Sequence, residues 1–105
     1  MKFEITGGPL DGTVYSFDSN EISIGRDEKD QLCLSYDRTV SRNHLQVTRK
    51  DDRFIVVDYG SEGKGSLQGS FLNGRTTEHF FRNDNRPLSP GDILYVGHLA
   101  VRIIE

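Results

Sequence analysis

Ile22-Ser23-Ile24-Gly25-Arg26, followed by Ser41-Arg42-Asn43-His44, decides how this chain is read. The first stretch alternates apolar and polar residues. That pattern puts Ile22 and Ile24 on one face of a strand and delivers Arg26 onto the loop beyond it. The second stretch is a polar loop tip, and it runs into Leu45 and Val47, which share a face of the next strand. Two loops rich in hydrogen-bond donors are thus carried by two strands with apolar inner faces.

The same pattern extends outward in both directions. Lys2–Thr6, Thr13–Phe17 and Gln31–Ser35 read as strands, separated by Gly7-Gly8-Pro9, Asp11-Gly12 and Asp18-Ser19-Asn20. After His44–Thr48 comes a charged turn over Arg49–Asp52. The continuous apolar run Phe54–Val57 then predicts a strand covered on both faces. Tyr59–Gly69 holds four glycines and no periodicity, so it reads as a long loop. Asn73-Gly74 after Ser70-Phe71-Leu72 is a strong two-residue hairpin signal. Thr76–Pro87 is ambiguous, with Phe80-Phe81 either a short strand or an anchored loop. Ile93–Val96 and Leu99–Ile104 are strands that flank Gly97-His98, and Ser89-Pro90-Gly91-Asp92 is a turn. No window shows a 3.6-residue period. Short strands at regular spacing predict an all-β sandwich or barrel with loops gathered at its ends.

Composition narrows the class. A chain of 105 residues predicts one domain over 1–105, and ending on a strand is compatible with a domain cut from a longer protein. Hydrophobic residues make up 34%, enough for a small core. A net charge of −3 speaks against nucleic acid as partner. A single cysteine, Cys33, cannot form an internal disulfide and reads as a small buried hydrophobe in a reducing compartment. Glu4 interrupts the N-terminal apolar residues, and no apolar run reaches membrane-spanning length, so a cytoplasmic protein without membrane insertion is expected.

The side chains that carry chemistry are cations and hydroxyls. His44, His79 and His98 have no close-spaced partner of the kind zinc motifs use, so no metal site and no cofactor are expected. No nucleophile elbow or phosphate-binding P-loop is present, and the expectation is a protein without catalysis. Arg26, Arg38, Arg42 and Lys64 fall in loops of an acidic chain, accompanied by Ser41, Ser66 and Ser70. A guanidinium offers two parallel charge-assisted bonds to a phosphate, and small hydroxyls add donors without crowding. Lys64 reads first as a solvated cation, with a phosphate donor as the alternative.

Taken in order, Ile24-Gly25-Arg26, Ser41-Arg42-Asn43-His44, Asp58-Tyr59, Ser66–Gly74 and Leu88-Ser89-Pro90-Gly91-Asp92-Ile93 resemble the forkhead-associated (FHA) family over nearly the whole chain. The resemblance implies a β-sandwich of about eleven short strands, mostly antiparallel, with binding loops at one end. It also implies recognition of phosphothreonine in an extended peptide, and so a phosphothreonine protein as partner in signalling. By that resemblance Arg26 pairs with the phosphate, Ser41 hydrogen-bonds it, and Arg42 contacts it through its amide and often its side chain. His44 ties the loops together without touching ligand, and Gly25 permits the close approach before Arg26.

Ser66, Gln68, Gly69 and Ser70 fall on the family's third, peptide-binding loop, and Asn73 and Gly74 form the hairpin turn after it. That loop departs from the family's usual Ser-x-Asn-Gly-Thr. Gln68 stands where an asparagine is usual, Ser70 where threonine is usual, and about five extra residues precede Ser66. An alternative alignment places Ser61 at the loop serine. The altered loop motivates a rival expectation: a phosphate-independent interaction or self-association module on the same scaffold.

Overall fold

The computed structural model describes residues 1–60, 70–73, 79–80 (backbone) and 85–105. Among them are eleven strands: β1 (Lys2–Thr6), β2 (Val14–Ser16), β3 (Glu21–Gly25), β4 (Leu32–Cys33), β5 (Leu45–Lys50), β6 (Arg53–Asp58), β7 (Ser70–Leu72), β8 (His79–Phe80), β9 (Asn85–Leu88), β10 (Ile93–Val96) and β11 (Leu99–Ile103). They form a six-stranded sheet ordered β2-β1-β11-β10-β7-β8 and a five-stranded sheet ordered β4-β3-β5-β6-β9. The pairs are antiparallel except β3–β4, which run parallel through Ile24↔Leu32 and Gly25↔Cys33.

The alternation seen in the sequence fills the space between the sheets. Phe3, Ile5, Leu94, Val96, Val101 and Ile103 of one sheet face Ile22, Ile24, Leu45, Val47 and Val56 of the other, all fully or almost fully buried. Burying each such side chain contributes about 1.5–3 kcal/mol, which outweighs any single polar contact on the surface. The two termini meet at one end of β1 and β11. The Lys2 amide donates to the Glu105 carbonyl (2.7 Å), the Ile104 amide donates back to the Lys2 carbonyl (2.9 Å), and the Met1 ammonium donates to the Phe17 carbonyl (2.7 Å).

Four sequence expectations change. The Phe54–Val57 run is covered on one face only: Phe54 and Val56 point inward while Ile55 is 37% exposed. The strand at Asn85–Leu88 lay hidden in the ambiguous stretch because it contains Pro87. It is tolerated there because β9 is the edge of its sheet, pairing with β6 through Ile55↔Pro87. Cys33 is partly exposed rather than buried. Asn73-Gly74 does not make a two-residue turn, because β7 meets β8 in the register Phe71↔His79, which leaves seven residues between them. Gly74 itself lies outside the described residues.

Candidate anion site at the loop end of the sandwich

β3 ends where its backbone is most crowded. A Cβ on Gly25 would meet a carboxylate oxygen of Asp30, the Asn43 amide at 2.6 Å and the His44 amide at 2.8 Å, so only glycine fits. The chain then turns outward at Arg26. Its backbone amide donates to the Ser41 carbonyl (3.1 Å), and its Nε donates to the Val40 carbonyl (3.0 Å). These bonds fix the guanidinium against the second loop. Among the described residues neither Nη1 nor Nη2 has a protein partner, and both remain available to an anion. The side chain lines a cavity of about 460 Å³ together with Lys29, Ser35 and Arg42, and Asp27 and Glu28 complete the rim.

Asp30 ties the two loops. It is 3% exposed, and one carboxylate oxygen accepts from the amides of Asp27 (3.0 Å) and Asn43 (3.0 Å). Burial raises its pKa above the ordinary 3.8, and the two amide bonds oppose that shift. The Asn43 backbone adopts φ 48°, a left-handed conformation that asparagine tolerates. Its carbonyl accepts from the Gly60 amide at 2.8 Å, which connects the start of the long third loop to the same place.

Beneath the loops runs a buried chain of hydrogen bonds. The Ser41 amide donates to His44 Nδ1 at 2.9 Å, so Nδ1 is the acceptor and neutral imidazole carries its proton on Nε2. Nε2 lies 3.0 Å from Ser70 Oγ, and the Ser70 hydroxyl donates to Asp58 Oδ2 at 2.7 Å. His44, Asp58 and Ser70 are all fully buried. A catalytic Ser–His–Asp set donates from serine to histidine to aspartate. Here the serine donates to the aspartate, and the histidine's other nitrogen is taken by an amide. The arrangement ties β5, β6 and β7 together.

The other sheet braces the second loop. In the β10–β11 turn the His98 amide donates to Thr39 Oγ1 (2.8 Å), whose hydroxyl donates to Asp37 (2.5 Å). Gly97 has φ 59°, and a Cβ there would meet the Thr39 carbonyl at 2.7 Å, so the turn packs directly on the loop that leads to Ser41. Burial works against the ionised Asp37 carboxyl, but the Thr39 hydroxyl and amide, with His98, hold it below the ordinary carboxylate value.

Gly25, Arg26, Ser41, Arg42 and His44 are therefore brought together at one end. Ser70 is a correction: expected on the peptide-binding loop, it has no solvent exposure, and its hydroxyl belongs to the buried tie. Asn73, grouped with the loop-structuring residues, lies at the far end of β7. There it binds Asp92 and the Ile93 backbone. Ser61, Lys64, Ser66, Gln68 and Gly69 lie outside the described residues. Sequence reasoning missed Asp30, because a carboxylate at the end of Asp27-Glu28-Lys29-Asp30 looks solvated. The signal that marks it is the neighbouring Gly25, whose missing side chain leaves room for one buried oxygen.

A family model described as the FHA domain matches residues 22–97. Curated relatives named oxoglutarate dehydrogenase inhibitor align at 32% identity over 98 residues in Corynebacterium diphtheriae and at 31% over 90 residues in Corynebacterium jeikeium. These alignments cover 93% and 86% of this chain but only 60% and 54% of the relatives, so the chain spans little more than half their length. The N-terminal FHA domain of Saccharomyces cerevisiae Rad53p, solved with a phosphothreonine peptide, superposes with a TM-score of 0.78 at 20% identity, covering 99% of this chain and 92% of that one.

Proposed function

The chain belongs to the FHA domain family, and on that premise we propose that it is a cytoplasmic signalling module that recognises phosphothreonine peptides without catalysis. The observation that carries this reading is the Arg26 guanidinium. It is held at Nε, and over a cavity it shares with Arg42 its two Nη nitrogens have no protein partner among the described residues. Phosphothreonine brings a charge of about −1.5 to −2 and three acceptor oxygens. Arg26 presents the planar fork that suits a phosphate, Arg42 adds a second cation, and Ser41 adds a hydroxyl from the same loop. The first two loops are already tied to each other before ligand arrives, so little cost of ordering them is left to binding.

Each hydrogen bond to a charged group is worth roughly 1.5–3 kcal/mol, so removing Arg26 costs at least about tenfold in affinity. The test is calorimetric titration of matched phosphothreonine, phosphoserine and unmodified peptides into wild type and Arg26→Ala. Equal affinity for phosphorylated and unmodified forms rules the reading out. The altered third-loop sequence motivates a second reading, in which the scaffold captures a partner protein, or its own copy, without phosphate; the relatives' name, an inhibitor of a dehydrogenase, fits capture of a protein. Partner binding that survives Arg26→Ala favours that reading.

A further inference from the structure

Beside the anion cavity lies a second one, of about 490 Å³, on the outer face of the five-stranded sheet. Ser23 and Gln46, cross-strand neighbours on β3 and β5, lie beneath it. Asn43 and Tyr59 stand at the loop end, and Glu21 lies toward the other. The two cavities adjoin through consecutive residues, since Arg42 lines one and Asn43 the other. On the open side the Gln31 carboxamide already covers the β3 edge: it accepts from the Ser23 amide (3.0 Å) and donates to the Glu21 carbonyl (3.1 Å). By contrast, the side-chain polar groups of Asn43, Gln46 and Tyr59 make no hydrogen bond among the described residues.

We infer that this trough is a flanking subsite that takes the extended peptide segment beside the phosphothreonine, an inference that rests on the phosphopeptide reading above. Two uncommitted carboxamides and a phenol are the groups that suit a peptide backbone. A carboxamide offers a donor and an acceptor side by side, matching the N–H and C=O of an extended strand. A single charge, Glu21, sits among the lining residues, so the segment is neutral near the phosphate and carries a basic residue further along. Gly25 and Glu21 are the ends of β3, four residues apart and hence about 13 Å. An extended peptide covers the same distance in about four residues. The basic residue therefore lies about four positions from the phosphothreonine.

The experiment measures affinities of a three-residue and an eleven-residue phosphothreonine peptide for wild type, for the double variant Gln46→Ala/Tyr59→Phe, and for Glu21→Lys. The long peptides carry Lys or Glu four positions before or after the phosphothreonine. We expect the long peptide to bind wild type at least tenfold more tightly than the short one, and the double variant to lose that advantage while keeping its affinity for the short peptide. We expect Lys to be preferred over Glu on one flank, and Glu21→Lys to reverse that preference. Equal binding of short and long phosphopeptides, or a length advantage untouched in the double variant, overturns the subsite and leaves phosphate recognition standing. Failure of every phosphopeptide to bind overturns both.

Discussion

Each end of the sandwich has an aspartate bonded to an asparagine, and the two fixtures sit in different solvents. At the loop end, the buried Asp30 carboxylate receives the Asn43 amide at 3.0 Å. At the far end, Asp92 receives the Asn73 side chain at 3.1 Å in the open, while Asn73 Oδ1 accepts from the Ile93 amide at 2.8 Å. The chemistry is nearly the same. Water can replace any lost partner at Asn73, and it cannot reach Asp30. The four buried polar side chains among the described residues, Asp30, His44, Asp58 and Ser70, all belong to the loop end. Losing a partner there costs the full desolvation of what remains, roughly 1–3 kcal/mol per group. The fold therefore concentrates its expensive polar contacts where loop positions must be held, and uses cheap exposed ones for an ordinary turn.

Substitutions at the two ends sharpen that contrast. Asp58→Ala has the largest expected effect. It strands the Ser70 hydroxyl and unbalances His44, for a loss of about 3 kcal/mol and a Tm lower by roughly 12–24 °C in a domain of this size. A calorimetric shift of only a few degrees would show that the buried tie contributes little. Gly25→Ala comes next, because its methyl must displace Asp30 or the backbone of Asn43 and His44. Overpacking of this kind costs about 1–3 kcal/mol, and phosphopeptide affinity falls with it as Arg26 shifts. Wild-type affinity in Gly25→Ala would mean that the two loops move independently.

Asp30 separates charge from geometry. Both amides bond the same carboxylate oxygen, so Asp30→Asn keeps the acceptor while Asp30→Ala removes it. Asp30→Ala is expected to lose about 1–3 kcal/mol, read by denaturant melts. The pH dependence of Asp30→Asn follows from the raised pKa. Below the ordinary value of 3.8 both states are protonated and the group's stabilising share is fully present; as pH rises through the higher folded value, that share is lost. Asparagine does not ionise, so the stability of Asp30→Asn relative to wild type should grow between acid pH and neutrality. A flat difference would mean that the buried carboxylate is held without strain. Asn73→Ala is the smallest change, under about 1 kcal/mol and without effect on peptide affinity, because its partners turn to water.

Much of this arrangement was legible in the sequence. Ile22 and Ile24 carry a period-two signal, and Gly25-Arg26 and Ser41-Arg42-Asn43-His44 stand at its loop end. Local pattern therefore located both the strands and the cations. What failed was whatever depends on distant partners. Ile55 looked buried because the run around it is apolar, but it stands on the outer face of β6, 37% exposed. Pro87 looked like a breaker because its tolerance depends on an edge position that only the sheet order defines. Ser70 looked like a ligand donor by its place in a motif, while its true partners, His44 and Asp58, lie 26 and 12 residues away. Tyr59 stood out as the start of a long loop, and it walls the outer trough.

The meeting of the termini carries a practical consequence. Lys2 exchanges backbone hydrogen bonds with Ile104 and Glu105, and Met1 with Phe17, at the end of β1 and β11 remote from the turn that braces Thr39. A segment tethered to either end of this chain starts from the pole opposite the anion cavity. A short linker could also join the two ends into a ring. The Asp51-Asp52 turn, exposed and closed by the Lys50↔Arg53 pair, is the natural place to reopen it as a circular permutant.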